Sequence, residues 1–160
     1  MKKFLLLVSV IFCMASINGQ KITKAIGGRI GDGSAFGLEA SYQHPLSKMT
    51  RLELDGALSF HNDWMGISAT VLHQWVWNIE NGFQWYLGAG GTIGQTFVDN
   101  KYGDDDTYFS IAINPNGGVE YFFKNIPLQL AVDARPGFTI VNADHVDNLF
   151  SIGVAARYTF

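Results

Sequence analysis

Eight segments of alternating apolar and polar residues, a charged fraction of only 16%, and strand charges that keep to one parity predict a single fold class. It is all-β: an eight-stranded antiparallel up-and-down barrel whose strands cross a membrane. The segment from Asn148 to Phe160 shows the pattern most plainly. Phe150, Ile152, Val154, Ala156, Tyr158 and Phe160 share one face, and Ser151, Gly153, Ala155, Arg157 and Thr159 share the other. A strand with one such face needs either a second sheet or lipid to cover it.

Residues 1–19 carry the pattern of a secretory signal peptide. Lys2 and Lys3 precede an apolar stretch from Phe4 to Met14 and a small-residue exit ending at Gly19, with cleavage expected before Gln20 or near Ala15. Cys13 is the only cysteine, so residues 20–160 have neither a disulfide nor a thiol site. Those residues form one barrel domain by length. Without Lys2 and Lys3, nine basic side chains face fourteen acidic ones, which argues against a nucleic-acid partner. No later stretch is long and apolar enough for a membrane helix.

The strands follow in order. Ile22 to Gly31 alternates weakly, and 32–34 is a tight turn. Ala35 to Gln43 sets Phe36, Leu38, Ala40 and Tyr42 against Glu39, Ser41 and Gln43. Arg51 to His61 sets Leu52, Leu54, Leu58 and Phe60 against Arg51, Glu53, Asp55, Ser59 and His61. In Trp64 to Trp77 the pattern blurs at Leu72-His73, where a bulge is expected to swap the faces; the facing of His73 stays open. Phe83 to Phe97, Tyr108 to Phe122 and Leu128 to Ile140 alternate again, and the last strand closes the ring onto the first.

Placing the carboxyl terminus on the periplasmic side sorts the connections. Residues 44–50, 78–82 and 123–127 become periplasmic turns, and 32–34, 61–64, 98–107 and 141–148 become outer loops. Asp32, Asp63, Asp99, Asp104, Asp105, Asp106, Asp144 and Asp147 then fall in outer loops. Arg29, Glu39, Arg51, Glu53, Asp55, Glu120, Asp133, Arg135 and Arg157 all fall on the lumen parity. The apolar residues alone define the parity, so the charges test it independently. Outward aromatics form two girdles, one near Trp75, Trp77, Trp85 and Tyr158, the other near Phe36, Phe60, Phe109 and Phe150. A soluble lipocalin-like barrel would instead need an apolar interior.

The terminal Ala-Ala-Arg-Tyr-Thr-Phe160 resembles the assembly signal of Gram-negative outer-membrane proteins, and Gly118 to Gly137 resembles a hairpin of small barrels from Bacteroidetes-type bacteria. Overall the chain resembles the eight-stranded OmpX and OmpA-transmembrane class. That resemblance implies an outer-membrane location, Tyr158 and Phe160 as the assembly signal, and contact with membrane lipid, lipopolysaccharide and the barrel-assembly machinery. It implies a monomer and no cofactor.

An eight-stranded lumen is narrow enough for side chains to fill. Five acids and four arginines there read as a salt-bridged plug, with an expected register that sets Glu39 opposite Asp55 and Arg29 or Arg135 reaching across. Ser59-Phe-His61 reverses the His-x-Ser pair of the lipid A deacylase type, and the two side chains lie far apart for a nucleophile and its base. Pro115 and Pro136 are expected nearly opposite each other on strands six and seven, a lateral kink resembling the palmitoyltransferase type. The run Asp99 to Asp106 offers carboxylates to a hard cation, although such runs are first of all solvated. The scattered histidines show no metal spacing. The sequence thus favours a non-enzymatic envelope or surface-contact barrel, with a lipid-modifying enzyme or a narrow porin-like pore as alternatives.

Overall fold

The computed structural model describes residues 22–32, 36–61, 64–98, 106–141 and 149–160. The strands are β1 (Ala25–Asp32), β2 (Phe36–Pro45), β3 (Thr50–His61), β4 (Trp64–Asn78), β5 (Phe83–Val98), β6 (Asp106–Phe122), β7 (Leu128–Val141) and β8 (Leu149–Thr159). They form a closed barrel in sequence order, each antiparallel to its neighbours, with β1 returning to β8. Followed once round the barrel, the registers advance by about ten residues, the kind of stagger that tilts strands by ~35–45°.

Closure leaves no free strand edge, so the sidedness of each strand decides what the barrel buries. Here the arrangement of a soluble core is inverted. Val154, Val132, Leu38, Ile93 and Ile30 are about half exposed on the outside, whereas Arg29, Arg51, Glu53, Gln74 and Gln129 are completely buried inside. The lipocalin-like alternative requires the opposite.

One end of the barrel carries the short connections 46–49, 79–82 and 123–127 and is called the turn end below. The turn between β4 and β5 places Asn81 (φ 53°) and Gly82 (φ 97°) in the left-handed region, the Asn-Gly chemistry that suits a tight hairpin. Outward aromatics pack into a belt at this end. Trp77 stacks on Trp85 at 4.4 Å, Phe83 lies 4.6 Å from Tyr121, and Tyr121 meets Phe123 edge-on at 4.9 Å. Towards the opposite, loop end, Phe60, Phe109, Phe138 and Phe150 stand exposed on the same outer surface.

Three details differ from the sequence expectation. First, β4 has no bulge at Leu72-His73: its registers with β3 and β5 run unbroken. Leu72 and Val76 simply face inward, at 0% and 5% exposure, and His73 faces outward, edge-on to Trp75 at 4.7 Å. The pattern blurred because the lumen takes apolar filler there. Second, the irregularity lies between β6 and β7 at Ile111/Ala112, where Ile140 and Val141 are both exposed. Third, β1 starts at Ala25, because Ile22 leaves the strand path to cluster with Val76 and Tyr86 inside the turn end. Residues 1–21, 33–35, 62–63, 99–105 and 142–148 lie outside the described residues. So do the signal peptide, Asp99, Asp104 and Asp105, together with the Asp106 side chain.

Candidate functional site

Inward residues recur every second position, so each strand can deliver side chains to the lumen in a column. β3 supplies three charges in succession, Arg51, Glu53 and Asp55, and β7 supplies Asp133 and Arg135. Arg29 of β1, Glu39 of β2, Glu120 of β6 and Arg157 of β8 complete the set. The nine sequence-predicted lumen residues converge on one network, in two parts.

Nearer the turn end, Arg51 makes a bidentate pair with Glu120, Nη1 to Oε1 at 2.7 Å and Nη2 to Oε2 at 2.8 Å. The planar guanidinium fork matches a carboxylate in this way. The Arg51 Nε donates to Gln74 at 2.6 Å, and its guanidinium lies 4.8 Å from the Tyr86 ring centroid. Gln129 donates a further bond to Glu120 at 2.6 Å.

Deeper in, Arg29 joins Asp133 (Nη2 to Oδ1, 2.6 Å) to Glu39 (Nη1 to Oε1, 2.7 Å). Arg135 holds four acids at once: Glu53 at 2.5 Å, Asp55 at 2.8 Å, Glu39 at 3.1 Å and, more loosely, Asp133 at 3.6 Å. Arg157 lies 3.3 Å from Glu53 and donates from Nε to Ser41 at 2.9 Å. Glycines make room for this packing. A Cβ on Gly153 would stand 2.4 Å from the Arg29 Cζ, and one on Gly31 would stand 2.5 Å from its Nη1.

The observed register corrects the expected one by two residues. Glu39 faces Ala57, and Asp55 faces Ser41. The two carboxylates therefore meet through Arg135 rather than directly. Sequence reasoning missed the neutral partners: Gln43 donates to Glu53 and the Tyr86 hydroxyl donates to Asp133. Their signal was available, since all sit on the same parity as the charges.

From this network towards the loop end, the inward positions become neutral and, Tyr108 apart, mostly small. Ala57 and Ser59 follow on β3, Ser68 and Thr70 on β4, Thr92 on β5, Asn114 on β6, Thr139 on β7 and Ser151 on β8, all half-buried. A hydroxyl-amide ladder crosses one wall, from Thr70 to Thr92 at 2.7 Å and from Thr92 to Asn114 Oδ1 at 2.7 Å. The described part of the loop half is a polar cup above a charged floor.

The other sequence candidates lie apart from the network. Ser59 is on the cup wall, and the His61 side chain lies outside the described residues. Pro115 and Pro136 fall opposite each other on the β6–β7 register, where pairing stops at Ile113–Phe138 and resumes at Gly117–Ala134. Neither proline has an N–H to give, so the ladder is interrupted there. Behind the gap lies Asn116, 4% exposed, with neither amide atom hydrogen-bonded.

A closed, charged-inside and apolar-outside ring of eight strands is the fold of the small bacterial outer-membrane barrels. Among solved structures, the N-terminal β-barrel domain of Pseudomonas aeruginosa OprF superposes with a TM-score of 0.75 at 14% identity, covering 89% of this chain and 100% of that one. Neisserial surface protein A matches with a TM-score of 0.65 at 18% identity, covering 86% and 95%. Ail, the attachment invasion locus protein of Yersinia pestis, gives 0.59 at 12% identity, covering 86% and 97%. No protein-family model matches the chain, and no curated protein matches it by sequence.

Proposed function

We propose that the protein is an integral barrel of a Gram-negative outer membrane, exported by the signal segment 1–19, with its lumen closed by the ion-paired network. Its role is structural in the envelope and at the cell surface, through acidic outer loops that include Asp99 and Asp104 to Asp106. One observation carries this reading: every charged side chain described in the strand bodies is inside and paired, while the outer surface is apolar between two aromatic zones. Only lipid covers such a surface without a second protein layer. The proposal includes a monomer embedded in lipid and lipopolysaccharide and inserted by the barrel-assembly machinery. It includes no catalytic residue and no cofactor.

The experiment is reconstitution of the refolded chain in planar bilayers beside an unboiled gel. A heat-modifiable band with no stepwise conductance supports a closed barrel. Steady conductance would make it a pore, and a band that does not shift on boiling would remove the barrel.

The interrupted β6–β7 ladder favours a second reading, lateral access of lipid to the lumen at Pro115 and Pro136 by a lipid-modifying enzyme. Mass spectrometry of lipid A with and without the gene separates the two. Unchanged acylation supports the first, and a gained or lost acyl chain the second.

A further inference from the structure

The buried network has one carboxylate more than it has guanidinium groups: Glu39, Glu53, Asp55, Glu120 and Asp133 against Arg29, Arg51, Arg135 and Arg157. A buried surplus charge is costly unless something neutralises it. The hydrogen bonds show where the surplus lies. Both oxygens of Glu39 accept from arginine, and both of Glu53 accept from Arg135 and Gln43. Both of Glu120 accept from Arg51, and both of Asp133 accept from Arg29. Asp55 differs: its Oδ2 accepts from Arg135 at 2.8 Å, while its Oδ1 has no partner although the residue is only 5% exposed.

The surroundings of Asp55 supply oxygens. The register sets Thr70 directly opposite it on β4, within the ~4.5–5.5 Å Cβ spacing of cross-strand pairs, while Ser41, opposite it on β2, already accepts from Arg157. Beyond Thr70 the half-buried hydroxyl cup leads towards the loop end, with no cationic side chain among its described residues. No group of three or more His, Cys, Asp or Glu is arranged for a metal ion among the described residues, which argues against a divalent ion. A single surplus charge calls for a single positive one.

We propose that the floor of the cup is a site for one small monovalent cation, sodium or potassium, seated on Asp55 Oδ1 with hydroxyl and water oxygens completing its coordination. The site deepens the closed-barrel reading and rests on it. Ions enter it from the loop end.

The test uses the full chain refolded in detergent, with the temperature of the heat-modifiable gel shift read in sodium, potassium and choline chloride at equal ionic strength. In sodium or potassium the midpoint should rise with concentration and level off about 3–5 °C above that in choline. Asp55→Asn keeps the side-chain size and removes the surplus charge. It should fold at least as well in choline and lose the cation response. Line broadening of the sodium nuclear resonance by the wild-type barrel, absent with Asp55→Asn, reads the ion directly. Should that variant not refold, Thr70→Val should weaken both signals. A wild-type midpoint that is equal in all three salts, with no line broadening, would overturn the site while the gel shift itself keeps the barrel. A midpoint that ignores the cation but depends on pH only when Asp55 is present would assign the surplus to a proton, and that also overturns the cation.

Discussion

Arginines with the same charge and the same burial are not equivalent in this lumen, because their partners differ. Arg29 satisfies two acids with bonds of 2.6 and 2.7 Å and lies against Gly31 and Gly153, which leave room for its guanidinium where any Cβ would clash. Arg29→Ala leaves Asp133 only the Tyr86 hydroxyl and a 3.6 Å contact with Arg135, and leaves Glu39 to Arg135 alone, so it should cost about 3–5 kcal/mol in urea unfolding of the refolded barrel. Arg157 is a weaker anchor. Both its Nη atoms lack hydrogen bonds, and Glu53 keeps Arg135 and Gln43 without it. Arg157→Met should therefore cost only about 1–2 kcal/mol in the same measurement. Equal losses for the two variants would mean that charge count, not pairing geometry, governs the lumen. These nine charges were legible from parity alone. Their pairing was not, because a shift of two residues preserves parity and changes every neighbour, as the Glu39–Ala57 pair shows.

Among the described elements, β6 and β7 form the pair whose ladder is interrupted. Pro115 and Pro136 each lack an N–H, and the register between them skips from Ile113–Phe138 to Gly117–Ala134. Replacing both prolines with valine restores two donors at matched positions. Amides of residues 114–117 and 134–137 should then exchange with deuterium at least tenfold more slowly, read by mass spectrometry in detergent. Unchanged exchange would show that something other than the prolines holds the seam open. The β4–β5 turn behaves oppositely. Gly82 has φ +97°, and a Cβ there would stand 2.6 Å from the Phe122 carbonyl, so Gly82→Ala should lower unfolding stability by about 1–2 kcal/mol. Both features could be read from residue type, since Asn-Gly and paired prolines carry their own backbone chemistry. The bulge at Ile111/Ala112 could not, because Ile140 and Val141 read as an ordinary apolar end to a strand. Nor could the inward packing of Val76, which meets Tyr86 and Ile22 arriving from elsewhere in the chain.

At the level of the whole molecule, eight strands each have one face that water should not meet, and closing the ring turns all those faces outward. The architecture thus follows from alternation and register and does not by itself specify a task. It does specify a solvent. Val132 and Val154 lie directly opposite each other on β7 and β8 and are 54% and 58% exposed on the outer surface, well inside the strand ends. On a water-facing sheet, Val154→Arg would change stability by no more than about 0.5 kcal/mol. On a surface in contact with hydrocarbon near the midplane, the same change costs about 2–4 kcal/mol. Unfolding in urea from lipid vesicles should show that larger loss for Val154→Arg. Tyr158→Arg, four residues nearer the turn end on the same face, should cost less than half as much. A flat profile along β8 would place water, not lipid, against this strand, whereas a cost that rises from Tyr158 to Val154 maps the depth of the bilayer onto it.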